Sequence, residues 1–168
     1  MPMSRRVLMS SAAAAAATLS AWPVAAAPSA LPDVGAPLAL APVGLFDGSR
    51  FAPAQADGQV LVLYWWASWC PFCAQQSPRI EALWQAHRAQ GLSVLGLSID
   101  RDSSAALHYI RQKKYSFPTG MFTPEVAKIL PKPAGLPVTV VRGRDGRVVL
   151  AQAGEMFPED IERIAKFL

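Results

Sequence analysis

Cysteine and histidine are scarce in this 168-residue sequence, which contains two of each. A zinc site built on Cys70 and Cys73 would need His87 and His108 as its remaining ligands, and their spacing fits no usual zinc pattern. The sequence therefore predicts no stable metal site. Any chemistry of the two thiols must come from the cysteine pair itself.

The sequence also lacks internal repeats and a long basic tract. It has 16 Lys and Arg against 12 Asp and Glu, and nothing marks a nucleic-acid-binding face. Hydrophobic residues make up 52% of the chain and charged residues 17%, a composition typical of a packed core. We therefore predict one compact domain without a nucleic-acid partner.

No apolar run at the N-terminus is long enough to cross a membrane. A cationic start is followed by about 15 weakly apolar residues, mostly Ala and Ser, whereas a spanning helix needs roughly 20. Small residues at 24–26 favour a cut ahead of Ala27, so we predict that residues 1–26 form an export signal peptide. An uncleaved membrane anchor is the alternative. Residues 4–6, Ser-Arg-Arg, resemble a twin-arginine signal, and the choice between twin-arginine export and general secretion stays open.

The remaining chain begins with a Pro- and Ala-rich stretch. Residues 27–43 predict an extended segment that leads into a domain at 44–168. The stretch LFDGSRF predicts a hairpin with its turn at Asp47 and Gly48. Continuous apolar residues at 60–67 predict a strand that is buried on both faces of a sheet.

Strands and helices alternate in the rest of the sequence. We predict a helix from Pro71 to about residue 90, a strand at 92–99, a helix and a short strand within 101–122, a short helix from Pro124, a hairpin turning at Asp145-Gly146, and a C-terminal helix. This order predicts an α/β fold with a mixed central sheet flanked by helices.

The two cysteines stand where the buried strand meets the following helix. In an oxidising compartment they could form a structural disulfide, but a bond between positions i and i+3 closes a very small loop. Because the entropic gain from a disulfide grows with loop length, such a bond would stabilise little. Redox chemistry is therefore the favoured interpretation.

The position of Cys70 favours a negative charge. Pro71 suits the first turn of a helix, and the free N–H groups and dipole at a helix N-terminus stabilise anions and lower the pKa of a thiol there. We predict that Cys70 is the nucleophile of thiol-disulfide exchange. Cys73, one turn later and more buried, is the predicted resolving cysteine.

Three motifs follow one another in the sequence: WASWCPFC, GLPVTVV and RDGRVV. Together they resemble the W-A-x-W-C-x-x-C motif, the G-x-P-x-T segment and the following hairpin of the thioredoxin superfamily, specifically its exported TlpA/ResA-like thiol-disulfide oxidoreductases. The resemblance covers residues 45–168 and implies a thioredoxin fold. Residues 101–122 lie where this subfamily carries an extra helix and strand.

The resemblance also implies which residues surround the cysteines. It implies a cis peptide bond between Leu136 and Pro137, with the backbone of Leu136 pairing with an extended substrate. Trp69 is expected to border the sulfurs, and Phe72 to be exposed as part of an apolar docking surface. The expected substrate-binding residues are Trp69, Pro71, Phe72, Leu136 and Pro137.

Two residues depart from the family pattern. Thioredoxins have a buried Asp six residues before the first cysteine, where this chain has Tyr64, and TlpA/ResA-like proteins often have a Glu six residues after it, where this chain has Gln76. An amide accepts hydrogen bonds but no proton at neutral pH. We therefore hypothesise that Glu155 shares in accepting the proton of Cys73, with a plain surface acid as the alternative.

The family resemblance implies a periplasmic reductase of exported protein disulfides, such as those of apocytochrome c. Its electrons would come from a membrane thiol-disulfide carrier, and its redox group would be the Cys70–Cys73 disulfide, without a cofactor. A disulfide-forming oxidant is the main alternative. A peroxidase of the peroxiredoxin type is less favoured, because Leu63 and Ala67 replace the Pro and Thr of its motif. A copper chaperone would need wider cysteine spacing and a distal His.

Overall fold

The computed structural model describes residues 31–130 and 133–168. The predicted signal peptide and residues 27–30 lie outside this part of the chain. The described end of the leading segment runs beside the last hairpin: the backbone N–H groups of Gly35 and Leu38 donate to the carbonyls of Val148 and Gly146, at 2.8 and 3.0 Å. This segment is therefore held to the domain by backbone hydrogen bonds.

A mixed five-stranded sheet forms the centre of the molecule. The strands are β1 (Val43–Gly44), β2 (Arg50–Phe51), β3 (Val60–Trp66), β4 (Leu92–Ser98), β5 (Thr119–Met121), β6 (Val138–Arg142) and β7 (Val148–Ala153). The central sheet has the order β5-β4-β3-β6-β7. β3 is parallel to β4 and antiparallel to β6, which confirms the predicted mixed sheet.

The predicted N-terminal hairpin is formed by β1 and β2, which pair antiparallel. It begins one residue earlier than the predicted domain boundary. Phe46 donates its backbone N–H to the carbonyl of Thr119 at 2.9 Å, and Leu45 bridges Gly120. A side chain at Gly120 would collide with the carbonyl of Gly44. The hairpin thus covers the β5 edge of the sheet.

Within residues 31–130 and 133–168, four helices flank the sheet: α1 (Pro71–His87), α2 (Ser103–Lys113), α3 (Pro124–Ala127) and α4 (Pro158–Glu162). The first was predicted to reach about residue 90, but its last three residues form a 3-10 turn, which ends at Gly91 with φ of +92°. The C-terminal helix is likewise α-helical only to Glu162 and continues as a 3-10 helix. Ile161 of the α-helical part and Ile164 of the 3-10 part are both buried.

β3 separates two hydrophobic cores. Every residue of the strand is buried, and alternate side chains point to opposite faces. Val60, Val62, Tyr64 and Trp66 pack in one core, and Leu61, Leu63 and Trp65 in the other. The predicted two-faced burial of this strand is confirmed.

The predicted insertion at 101–122 contains α2 and β5. Asp102 caps α2 by accepting the backbone N–H of Ser104 at 2.8 Å. β5 pairs parallel with β4, and the indole N–H of Trp66 donates to the Thr119 hydroxyl at 3.2 Å. The insertion therefore extends the sheet. Among the described residues, no helix has both the length and the apolar character to cross a membrane.

Candidate active site

Cys70 is the N-cap residue of α1 and is joined to Cys73 by a disulfide. Its backbone is extended, and its Sγ accepts the backbone N–H of Cys73 at 3.1 Å. Pro71 occupies the first turn, where no N–H is needed. Cys70 is 4% exposed and Cys73 is fully buried, which is the expected order of burial. A donor of the helix end thus points at the sulfur predicted to carry charge.

A groove of about 400 Å³ lies beside Cys70. One wall is formed by Trp69 and Phe72, which are 65% and 53% exposed, and the other by residues 133–136. Four of the five predicted substrate-binding residues line this groove; they are Trp69, Pro71, Phe72 and Leu136. The groove is walled by apolar side chains and opens next to the disulfide.

Pro137 follows Leu136 in the sequence, is buried, and is not among the residues that line the groove. The peptide bond between Leu136 and Pro137 is cis, as the family resemblance implies. The carbonyl of Pro137 accepts the backbone N–H of Gly154 at 2.8 Å. The proline loop is therefore connected to the loop that follows β7.

Gln76 is fully buried and uses both ends of its amide. Its Nε2 donates to the Thr139 hydroxyl at 2.8 Å, and its Oε1 accepts the backbone N–H of Met156 at 2.8 Å. The side chain thereby connects α1 to β6 and to the loop before α4. It makes the hydrogen bonds expected of an amide at this position.

Tyr64 occupies the core below Cys73. Its hydroxyl shares a 2.9 Å hydrogen bond with Ser77, whose own hydroxyl donates to the Cys73 carbonyl at 2.7 Å. Burial raises the pKa of Tyr64 well above its usual range, so the phenol is neutral at physiological pH. It supplies a hydrogen-bonding group but no proton acceptor for Cys73.

Glu155 lies half-buried in the loop between β7 and α4. Burial is the main reason why the pKa of Tyr64 is raised, and the charge of Glu155 adds to that rise. The role of Glu155 in proton transfer stays a hypothesis.

A residue that sequence reasoning missed stands at the same edge of the sheet. Asp100, only 6% exposed, accepts the backbone N–H of Ser68 at 3.0 Å and the hydroxyls of Ser68 and Ser98 at 2.7 Å each. A usable signal was present, because parallel strands end at a common edge and Asp100 follows β4 closely. His87 and His108 lie elsewhere, and in the described residues no three His, Cys, Asp or Glu are grouped as metal ligands.

The sheet order, the disulfide at the start of α1 and the facing cis-proline loop define a class, the thioredoxin-fold thiol-disulfide oxidoreductases. The AhpC/TSA family matches residues 30–148. The chain therefore belongs to this family of the thioredoxin superfamily.

Similar proteins agree with this classification. Thiol-disulfide oxidoreductase ResA of Bacillus thuringiensis subsp. konkukian is 23% identical over 124 residues, which cover 71% of this chain and 69% of that protein. A thiol:disulfide interchange protein of Chlorobium tepidum TLS has a TM-score of 0.72 at 22% identity, covering 80% of this chain and 97% of that chain. A secreted disulfide oxidoreductase of Mycobacterium tuberculosis has a TM-score of 0.66 at 20% identity, covering 76% and 96%. These structural similarities confirm the predicted thioredoxin fold.

Proposed function

We propose that the protein is an exported, periplasmic reductase of protein disulfides. The observation that carries the exchange chemistry of this proposal is the position of Cys70, whose Sγ caps α1 and accepts the Cys73 N–H at 3.1 Å, and the reducing direction is proposed from the family resemblance. A thiolate at this position is stabilised by the helix end. Cys70 also borders a groove with apolar walls, which suits an unfolded or extended substrate segment.

The exchange reaction has two steps. The Cys70 thiolate attacks one sulfur of the substrate disulfide, forms a mixed disulfide with it, and releases the other substrate sulfur as a thiolate. Cys73 then loses its proton and attacks the Cys70 sulfur, which releases the second substrate thiolate and leaves the Cys70–Cys73 disulfide. Two electrons pass from the enzyme to the substrate, and no cofactor takes part.

We propose a substrate-binding role for the residues around the disulfide, and the groove beside Cys70 supports this role. Trp69, Pro71 and Phe72 offer apolar contacts on one side, and Leu136 lies on the other. The backbone of Leu136, held by the buried Pro137, pairs with an extended substrate segment in this proposal. Exported thiol proteins such as apocytochrome c are the proposed substrates, and a membrane thiol-disulfide carrier returns the electrons.

The direction of the reaction is tested by the equilibrium potential of the Cys70–Cys73 couple against glutathione. We expect a value nearer to the roughly −270 mV of thioredoxin than to the roughly −120 mV of a strong oxidant. A Cys73→Ser variant is expected to accumulate mixed disulfides with periplasmic proteins, and the matched Cys70→Ser variant to accumulate none. A potential at the oxidising end would instead assign the protein to disulfide formation.

Export is tested by the N-terminus of the mature protein. In the periplasmic fraction of the native host we expect a chain that starts at Ala27. Retention of residues 1–26 in the membrane fraction would support the anchor alternative. Replacing Arg5 and Arg6 together by Lys blocks a twin-arginine signal and leaves general secretion intact, so this variant separates the two routes.

A further inference from the structure

We infer that Asp100 is a positioning residue that opposes negative charge on Cys70 and thereby favours the reducing direction. The inference rests on the proposed function, because it concerns the poise of the same cysteine pair. Asp100 has the only charged side chain that is buried in the described part of the chain. That side chain lies at the active-site edge of the sheet.

The carboxylate of Asp100 is held by neutral donors. Its oxygens accept the Ser68 backbone N–H at 3.0 Å, the Ser68 hydroxyl at 2.7 Å and the Ser98 hydroxyl at 2.7 Å. Each of these groups orients the carboxylate without cancelling its charge. A buried charge with such partners is weakly screened by solvent and salt.

Ser68 is hydrogen-bonded to this carboxylate and lies close to Cys70 in the sequence. It precedes Cys70 by two residues, in the short connection between β3 and α1. The two strand ends lie side by side, since Trp66 pairs with Ser98 and the Trp66 carbonyl accepts the Ile99 N–H at 2.9 Å. Asp100 thus fixes the segment that carries Trp69 and Cys70.

A cavity of about 730 Å³ opens between this segment and the start of α2. Asp100, Trp69 and Ile99 line it, and the latter two also line the groove beside Cys70. The other charged residues of the cavity are Arg101 and Asp102, both exposed. Their charges are therefore screened by water, whereas the charge of Asp100 is screened much less.

Two opposing influences act on Cys70 in this arrangement. The N-terminus of α1 stabilises a thiolate, and the buried carboxylate destabilises it through like-charge repulsion. Stabilising the reduced form makes a dithiol couple oxidising. A carboxylate that destabilises the thiolate consequently moves the couple toward the reducing side.

The test compares two neutralising substitutions in the same cavity. Asp100→Asn keeps an acceptor for Ser68 and offers an amide donor to the Ser98 hydroxyl, while Asp102→Asn removes an equal but exposed charge and keeps a good helix cap. The measured equilibrium is the reaction of the protein disulfide with two molecules of reduced glutathione, which gives the protein dithiol and one glutathione disulfide. We expect Asp100→Asn to shift this equilibrium toward the dithiol about 3- to 10-fold, and Asp102→Asn less than about twofold.

The pH dependence of Cys70 alkylation by iodoacetamide is the second readout. Its midpoint is expected to fall in Asp100→Asn and to stay in place in Ser68→Ala, which retains the charge and the backbone contact. Asp100→Ser serves as the neutral variant if Asp100→Asn does not fold. Equal shifts in Asp100→Asn and Asp102→Asn, or a shift in Ser68→Ala like that in Asp100→Asn, would overturn the inference. An oxidising wild-type potential would overturn the proposed function instead.

Discussion

Cys70 has two functions at the residue scale, because the atom proposed to react is also the atom that caps α1. Its Sγ accepts the N–H of the third helical residue, which is the contact that Ser, Thr, Asp and Asn make at other helices. The helix end and the sulfur therefore stabilise each other. Substitutions of Cys70 change helix stability as well as chemistry.

This double role predicts a difference between two inactive variants. In a Cys73→Ser background, which contains no disulfide, we expect Cys70→Ala to unfold with a free energy about 0.5–2 kcal/mol lower than Cys70→Ser, because Ser caps a helix and Ala does not. Urea unfolding of the two double variants measures the difference. Equal stabilities would show that the side chain at position 70 contributes nothing as a cap.

Glu155 carries the second prediction at this scale. If its carboxylate accepts the Cys73 proton, Glu155→Gln lowers the rate of disulfide reduction at pH 6–7 by about tenfold or more, and the deficit shrinks at alkaline pH, where the thiol ionises unaided. Glu159→Gln, an exposed glutamate at the start of α4, is the matched control. An unchanged pH profile in Glu155→Gln would leave Glu155 as an ordinary surface acid.

At the scale of elements, Glu81 on α1 holds the connection between α2 and β5. Its carboxylate accepts the backbone N–H groups of Ser116 and Phe117 at 2.8 and 3.1 Å and the Ser116 hydroxyl at 2.7 Å. Burial acts to raise the pKa of Glu81, but these hydrogen bonds, with one from Gln85, lower it overall. The helix that carries the cysteines is thereby tied to the insertion.

The lowered pKa of Glu81 predicts how the stability contributed by this carboxyl changes with pH. A carboxyl whose pKa is lower in the folded state stabilises the protein above its unfolded pKa of about 4.3, and this contribution is lost as the pH falls through the folded value. We expect Glu81→Gln to cost at most about 1 kcal/mol at pH 7, since the group is largely solvent-screened.

Urea unfolding of the wild type and Glu81→Gln at pH 7 and pH 3 measures this contribution. The gap between the two proteins should narrow at the lower pH. Glu162→Gln, an exposed glutamate on α4, provides the comparison. A gap of the same size at both pH values would contradict a role for the ionised carboxylate.

Local sequence signals account for the ends of several elements. Gly91 stops the first helical segment with a positive φ, Asp102 caps α2, and Gly146 turns the last hairpin with φ of +81°. Each of these effects depends on neighbouring residues, so a short stretch of sequence reveals it. The redox role of the cysteine pair was predicted on the same basis, because the pair lies between an apolar strand and a helix that begins with a proline.

Contacts between residues far apart in the sequence could not be predicted from local signals. Gln76 was expected to form hydrogen bonds, but its partners, Thr139 and Met156, lie 63 and 80 positions away. Asp100 and Ser68 are 32 positions apart, and Glu81 and Ser116 are 35. Such polar pairs carry no periodicity, and only the folded sheet brings them together.

At the scale of the whole molecule, β3 lies between the two hydrophobic cores of the described residues and has a strand on each side. It pairs with β4 over seven residues and with β6 over five. We expect the slowest hydrogen exchange of the protein in the amides of β3, at rates set by global unfolding, and fast exchange in the two-residue strands β1 and β2. Exchange followed by NMR measures both, and early exchange of β3 would contradict this expectation.

The location of the disulfide directly after β3 has a consequence for catalysis. The short connection that leads to Cys70 begins at the end of β3, the strand that is expected to open last, while one wall of the groove that receives a partner is the loop at residues 133–136. We therefore expect oxidation and reduction of the cysteines to proceed without local unfolding of the central sheet. Repeated oxidation and reduction of the cysteine pair should therefore leave both the fold and its resistance to proteolysis unchanged.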